Sequence, residues 1–250
     1  MCLILLALHF VPNRPWLLLG NRDEYHGRPS APAAQWNDAP YVYGGRDLEA
    51  GGSWLAVSGS GRFAAVTNVR AGPPIRGRRS RGALVADFVR GDRSAHAYAD
   101  AIAVARTEFG PFNFIAGDAE SVWAATSLSE KAWPFERGVH VLSNGPPHPR
   151  WPKAKRIADE FSRCVEENRY DDATLLNLLA DESQPSESEL PDTGIGLELE
   201  KFLAPIFIQG NEYGTRASTL AYALDDGTFV LNERRFGPRG IAEGETRLGF

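Results

Sequence analysis

The chain opens on an unbroken apolar run, Cys2-Leu3-Ile4-Leu5-Leu6-Ala7-Leu8. On an extended strand Cys2, Ile4, Leu6 and Leu8 share one face and Leu3, Leu5 and Ala7 the other, so both faces are apolar. Two-sided burial predicts a strand sandwiched between layers. A second apolar strand over 16–20 follows a turn around Pro12, Asn13 and Pro15, which predicts a hairpin. Residues 25–52 hold many prolines and glycines with little periodicity and read as a long irregular loop. Short strands over 53–57 and 62–69 flank Ser58-Gly59-Ser60-Gly61, where glycines tolerate the positive φ of a tight turn. Helices are predicted over 82–90 and 94–109, the second with Ala97, Ala101, Ile102, Val104 and Ala105 as its apolar stripe. Strands return at 112–117, 121–126 and 139–143, then helices at 153–167 and 172–180. The acidic stretch 181–196, with its prolines and glycines, reads as a surface loop or flap. Strands over 218–224 and 228–232 around Asp225-Asp226-Gly227 close the sequence.

This order runs in blocks of strands and pairs of helices and does not alternate as βαβα. Antiparallel hairpins, paired helices and a strand apolar on both sides predict an α+β fold, a four-layer αββα sandwich of two mainly antiparallel sheets. No internal repeat or long linker divides the chain, so residues 1–250 read as one domain.

Composition adds boundaries. With 250 residues, 43% apolar, 24% charged and a net charge of −5, the chain has the balance of an ordinary globule, which excludes a disordered or coiled-coil protein. Mild acidity argues against nucleic acid as a partner. The N-terminal run lacks a basic lead and a small-residue cleavage site, and Pro12 ends it far short of the ~20 residues that span a bilayer. Neither a secretory signal nor stable membrane insertion is expected. Two cysteines, Cys2 and Cys164, are too few for a disulfide framework, and a reducing cytoplasm is the default.

The chemistry starts at Cys2. Its small side chain permits removal of Met1, which leaves a thiol and a free α-amino group on one residue. A terminal amine titrates near 7.7–8.0, suited to taking a proton at neutral pH, and the thiol is intrinsically nucleophilic. The same residue also fits as a small buried hydrophobe. Gly20-Asn21-Arg22-Asp23-Glu24 places a dense polar cluster directly after an apolar strand. On a strand Asn21 and Asp23 face one way and Arg22 and Glu24 the other, and either pair can face a site beside Cys2.

These residues, with Gly51-Gly52-Ser53-Trp54-Leu55, Thr67-Asn68, Ser80-Arg81-Gly82, Ser143-Asn144, Leu190-Pro191-Asp192-Thr193-Gly194 and Tyr213-Gly214-Thr215-Arg216, resemble the NRDE family, also called the transport and Golgi organisation protein 2 family. The family is in turn similar to the N-terminal nucleophile hydrolases, including choloylglycine hydrolases and penicillin V acylases, which share the αββα sandwich. The resemblance implies that Cys2 is nucleophile and base together, that Asp23 orients the α-amino group and that Arg22 lies beside the thiolate. It further implies that Asn68 and Asn144 stabilise a carbonyl oxyanion and that Arg216 lies near the nucleophile. Asn21, Glu24, Trp54 and Arg81 are candidates for substrate contact. In the bile-salt and penicillin enzymes the arginine and aspartate are spaced apart, whereas Arg22 and Asp23 are adjacent and diverge on a regular strand.

Other features carry less. The run Arg76-Gly77-Arg78-Arg79-Ser80-Arg81 can clamp a carboxylate or phosphate, or be a solvated loop in which Ser80 caps a helix. The five histidines show no paired metal spacing, and no cofactor is expected. The tryptophans other than Trp54 read as core, Cys164 as an inert core thiol, and Leu190–Gly194 matches a cell-wall sorting signal in letters only. Two functions follow. One is a cysteine N-terminal nucleophile hydrolase cleaving the acyl amide bond of a small amphipathic substrate. The other, which the family resemblance implies, is a carrier of haem or of acyl-CoA and lipid in the same pocket.

Overall fold

A computed structural model, describing residues 2–70, 72 and 75–250, stacks two antiparallel sheets face to face with helices on both outer sides. In chain order the strands are β1 Cys2–Val11, β2 Arg14–Tyr25, β3 Ser30–Trp36, β4 Ala39–Asp47, β5 Leu55–Ser58, β6 Phe63–Asn68, β7 Phe112–Gly117, β8 Val122–Thr126, β9 Trp133–Pro134, β10 Gly138–Leu142, β11 Tyr213–Ala223, β12 Phe229–Phe236 and β13 Ala242–Gly249. The helices are α1 Arg81–Arg90, α2 Ala95–Val104, α3 Pro152–Glu166, α4 Asp172–Leu178 and α5 Leu197–Phe202. One sheet runs β10-β1-β2-β11-β12-β13 and the other β3-β4-β5-β6-β7-β8-β9.

The two-faced β1 does what its pattern requires. Ile4 and Leu6 meet Leu55, Val57, Phe63 and Ala65 of the facing sheet, while Leu3, Leu5 and Ala7 pack beneath α3 and α4 on Ile157, Phe161, Leu175 and Leu176. A third cluster joins α1 and α2 to the outer face of the second sheet through Leu84, Phe88, Ala99, Ile102 and Phe114. The expected four-layer α+β sandwich is therefore the observed fold. No helix among the described residues is long and apolar enough to cross a membrane.

Several boundaries differ from expectation. Residues 25–52 are not an irregular loop, because most of them form the β3–β4 hairpin at the edge of the second sheet. An edge strand tolerates prolines and a solvated face, which removes the alternation that betrays an inner strand. Its buried side is carried by Ala33, Trp36, Ala39 and Val42 with two glycines, Gly44 and Gly45. The mostly exposed edge strand β13 escapes notice for the same reason. β2 continues through the polar tetrad to Tyr25, so those charges sit on the strand itself. The helix expected over 94–109 stops at Val104 and continues as a 3-10 turn, Arg106–Glu108. The acidic stretch contains another such turn, Glu187–Glu189, before α5, a helix the pattern did not suggest.

Candidate active site

Where β1 begins and β2 and β6 end, the layers part into a cleft of about 290 Å³. Cys2, Arg22, Asp23, Glu24, Trp54, Asn68 and Arg81 line it, whereas Asn21, Asn144 and Arg216 do not.

The antiparallel register sets Cys2 directly opposite Arg22, so their side chains share the face turned to the second sheet. The Arg22 guanidinium lies over the Trp54 ring, 4.4 Å from its centroid. Trp54 reaches that position because Gly45 leaves room, since a β-carbon there would sit 2.1 Å from the indole. Gly52 is needed for a similar reason: its α-carbon packs on the backbone of Gly82 in the first turn of α1, where a β-carbon would be 2.3 Å from the carbonyl carbon. Ser53 secures the junction, its N–H donating to Gly82 O at 3.1 Å and its hydroxyl to Gly45 O and Leu55 O. The double-glycine motif thus brings the start of α1, and with it Arg81, to the cleft.

Burial pushes the Cys2 thiol up from its ordinary value, with Arg22 and a backbone hydrogen bond at Asp23 opposing. The resting sulfur is therefore a neutral thiol that needs a base to become a nucleophile. Met1 lies outside the described residues.

Asp23 diverges from Arg22, as adjacent strand residues must, yet remains at the cleft because it ends the apolar part of the sheet. Thr215 donates its hydroxyl to Asp23 Oδ1 at 2.7 Å and Tyr213 donates to the Asp23 carbonyl at 3.0 Å. Burial raises the Asp23 carboxyl, opposed by Lys153. Lys153, in the first turn of α3, is itself buried; its Nζ donates to Leu203 O at 3.0 Å, and burial lowers its pKa to about 8. Tyr213 and Thr215 belong to a motif that the sequence offers without a role for either, and Lys153 is not among its candidates. A signal existed for the last: Lys153 occupies a stripe position with Ala154, Ile157, Ala158 and Phe161, where a charge has no place without a partner.

Asn21 and Arg216 are among the expected residues that do not line the cleft. Asn21 points to the helical layer, where its amide donates to Leu179 O and Ile206 O, both at 2.8 Å, and its Oδ1 accepts from Ser218 at 2.6 Å. Arg216, at a bulge in β11, turns to the chain after β2 and donates to Arg28 O at 2.6 Å. It braces that segment instead of lining the cleft.

Asn68 and Asn144 are brought together, but with different freedom. Asn144 is fully buried and its amide donates to Cys2 O at 3.2 Å and to Asn68 O at 2.9 Å, so its side-chain donors tie the start of β1 to the end of β6. Thr67 and Asn113 hold the segment behind it through the carbonyl of Ser143. Asn68 lines the cleft with no side-chain partner among the described residues. Among the described residues no three His, Cys, Asp or Glu side chains converge as a metal would need.

The acidic stretch 181–196 is fastened at both ends. Arg156 pairs with Asp181 at 3.2 Å, and Glu200 accepts from the Thr193 N–H and hydroxyl at 2.8 and 2.6 Å while pairing with buried Arg70. Thr193 O in turn accepts from Gly72 at 2.7 Å. The Leu190–Gly194 motif is thus a structural clasp.

A family model described as Transport and Golgi organisation 2 matches residues 1–238. The chain belongs to this family. The bovine transport and Golgi organization protein 2 homolog (Bos taurus) is 30% identical over 236 residues, covering 87% of this chain and 85% of that protein. The mouse homolog (Mus musculus) is 27% identical over 250 residues, 92% and 90% of the two chains. Among solved structures, a mutant of the conjugated bile acid hydrolase from Clostridium perfringens superposes with a TM-score of 0.55 at 9% identity, covering 99% of this chain and 92% of that one. Another variant of the same hydrolase gives 0.53 at 10% identity, with 98% and 92% covered. This family member therefore has the N-terminal nucleophile hydrolase fold.

Proposed function

We propose that this member of the transport and Golgi organisation 2 family is a cysteine N-terminal nucleophile hydrolase that cleaves a small amphipathic acyl amide. The observation that carries the reading is the position of Cys2 in the cleft, opposite Arg22 and one strand position from Asp23. Hydrolysis of the Met1–Cys2 bond would free the α-amino group. That nitrogen takes the thiol proton as sulfur attacks the carbonyl carbon, and the oxyanion forms toward Asn68, where a donor is worth a few kcal/mol. The proton then passes to the leaving amine, the C–N bond breaks, and water hydrolyses the thioester to release the acid. Asp23, locked by Thr215 and Tyr213, orients the amine. Val66, Ile75 and the Trp54 edge offer an apolar wall for an acyl chain, and Arg22, Glu24 and Arg81 a polar end. Both cysteines are free, which suits a reducing compartment such as the cytoplasm.

One observation favours a second reading. The Asn144 donors are spent on Cys2 O and Asn68 O, which leaves the expected oxyanion pair with one free member. A carrier of haem or of acyl-CoA and lipid would not need the pair. The two readings separate on protein whose mass shows loss of Met1, assayed for amine release from a panel of acyl amides and for haem and acyl-CoA affinity. Amine release that Cys2→Ser abolishes with binding unchanged supports the hydrolase; absence of release from every amide in the parent protein overturns it in favour of the carrier.

A further inference from the structure

The charges of the cleft are sorted by position. On one side Arg28 gathers the carboxylates, meeting Asp47 at 2.7 Å, Glu49 at 3.1 Å and Glu24 at 3.9 Å. The basic run after residue 75 is sorted as well. Arg78 pairs with Glu108 at 3.1 Å, and Arg79 with Asp87 at 3.0 Å and Glu108 at 3.6 Å, while Ser80 caps α1 by accepting from the Gly82 N–H at 3.2 Å. Two guanidiniums beside Cys2 are left out of this pairing. Arg22 is only 5% exposed, lies in the cleft, and has neither an ion pair nor a side-chain hydrogen bond among the described residues; its one described partner is the Trp54 face. Among the described residues Arg81 has no ion pair either, and donates only to Pro111 O, at 3.3 Å.

A guanidinium carries five donors and cannot shed its charge, so burying one without an anion is costly. Each also feels another cation, Arg216 in the case of Arg22 and Arg28 in the case of Arg81. Cys2 would attract each of them only as a thiolate, and burial keeps that thiol neutral; Glu24 attracts both without pairing with either, and burial works against the charge on both arginines. Beside Cys2 the resting cleft thus holds two arginines, Arg22 and Arg81, with no carboxylate in ion-pair contact among the described residues. Trp54 fixes the plane of Arg22, leaving its edge donors to meet a ligand, and the edge of a guanidinium matches the two oxygens of a planar carboxylate. The Arg81 guanidinium is positioned by three features already described: the Gly52–Gly82 contact, the Ser80 cap and the Pro111 carbonyl.

We infer that the ligand of this cleft carries a carboxylate, held between Arg81 and Arg22 within reach of the Cys2 sulfur. The inference names the polar end of the amphipathic substrate proposed above and rests on that reading for the amide alone.

The test compares two alkylating reagents on the full chain. Iodoacetate and iodoacetamide both deliver a carbon to sulfur, forming the S–C bond as iodide leaves and the thiol proton passes to solvent. They differ only in carrying a carboxylate or an amide. Rates at Cys2, followed by peptide mass, are divided to give an iodoacetate to iodoacetamide ratio, which cancels changes in thiol ionisation. The expected ratio is about 10-fold above that of free N-acetylcysteine, falling to the free value in Arg81→Gln and partly restored in Arg81→Lys. Hexanoate should slow alkylation of the parent protein by iodoacetamide, and hexanamide should not. A ratio equal to that of N-acetylcysteine, a ratio unchanged in Arg81→Gln, or protection by inorganic phosphate where hexanoate gives none would overturn the inference. The parent-protein measurements hold even if the variants fail to fold. A raised ratio in a protein that cleaves no amide would remove the hydrolase reading and keep the carboxylate site, so the two failures are distinct.

Discussion

The space between the two sheets has a closed end and an open end, and the same strands build both. At the closed end Trp16 of β2 meets Phe63 of β6 at 4.3 Å and Phe229 of β12 at 6.0 Å, and Phe250 stacks on Tyr43 at 3.6 Å. Gly117 lets the Phe63 ring lie flat, since a β-carbon there would be 2.2 Å from it. At the open end the equivalent positions become Cys2, Gly20 and Arg22. Small and charged side chains cannot fill a gap that paired aromatic rings close, so a cleft remains. The contrast teaches that the site is a failure of core packing confined to one end and stiffened by hydrogen bonds: Asn144 on two carbonyls, Thr215 on Asp23, Ser53 on Gly45 and Leu55.

That division of labour can be broken at its strongest point first. Phe63→Ala should cost about 3–5 kcal/mol, read as a shifted urea midpoint, while leaving the alkylation ratio at Cys2 unchanged. A change in that ratio would show that the two ends are coupled.

Lys153 sharpens the comparison through pH. Its folded pKa of about 8 lies below the 10.5 of the unfolded chain, so between those values the unfolded state binds more protons. Stability should therefore rise as pH climbs from 8 to 10.5, with up to about 3 kcal/mol from this residue, and Lys153→Met should flatten that slope in pH-dependent unfolding. A slope unaltered by the substitution would place the titration elsewhere.

Smaller effects are expected from single hydroxyls. Thr215→Val removes the donor to Asp23 and the acceptor of the Ile208 N–H, which lies at 2.9 Å, and should cost about 1–3 kcal/mol in urea unfolding together with reduced amide turnover. Ser80→Ala removes the cap of α1 and should cost about 1 kcal/mol in the same measurement, with a modest fall in the alkylation ratio as Arg81 loosens. An unchanged ratio would mean that Gly52 and Pro111 suffice to hold Arg81.

Much of the site was legible in the chain because the residues fall in short motifs at strand ends. The polar tetrad interrupts an apolar strand, and Cys2 begins another; antiparallel pairing of two neighbours then sets Cys2 against Arg22 with little further information. Asn21 and Arg216 stay out of the cleft lining for a reason the same tetrad illustrates. Strand alternation states that Asn21 and Asp23 share a face but not which layer that face meets, and it cannot foresee that the bulge between Thr215 and Ala217 redirects Arg216. Lys153 was overlooked because a lysine near a helix start is ordinarily solvated.

What the sequence determined by itself was local and periodic: the two-faced first strand, the paired helices, and hence the four layers, because burying both faces of a strand leaves few other arrangements. The tertiary structure alone decided which charges meet. Packing set Arg28 against Asp47 and Glu49, and it left Arg22 and Arg81 beside a neutral thiol with no carboxylate in ion-pair contact among the described residues.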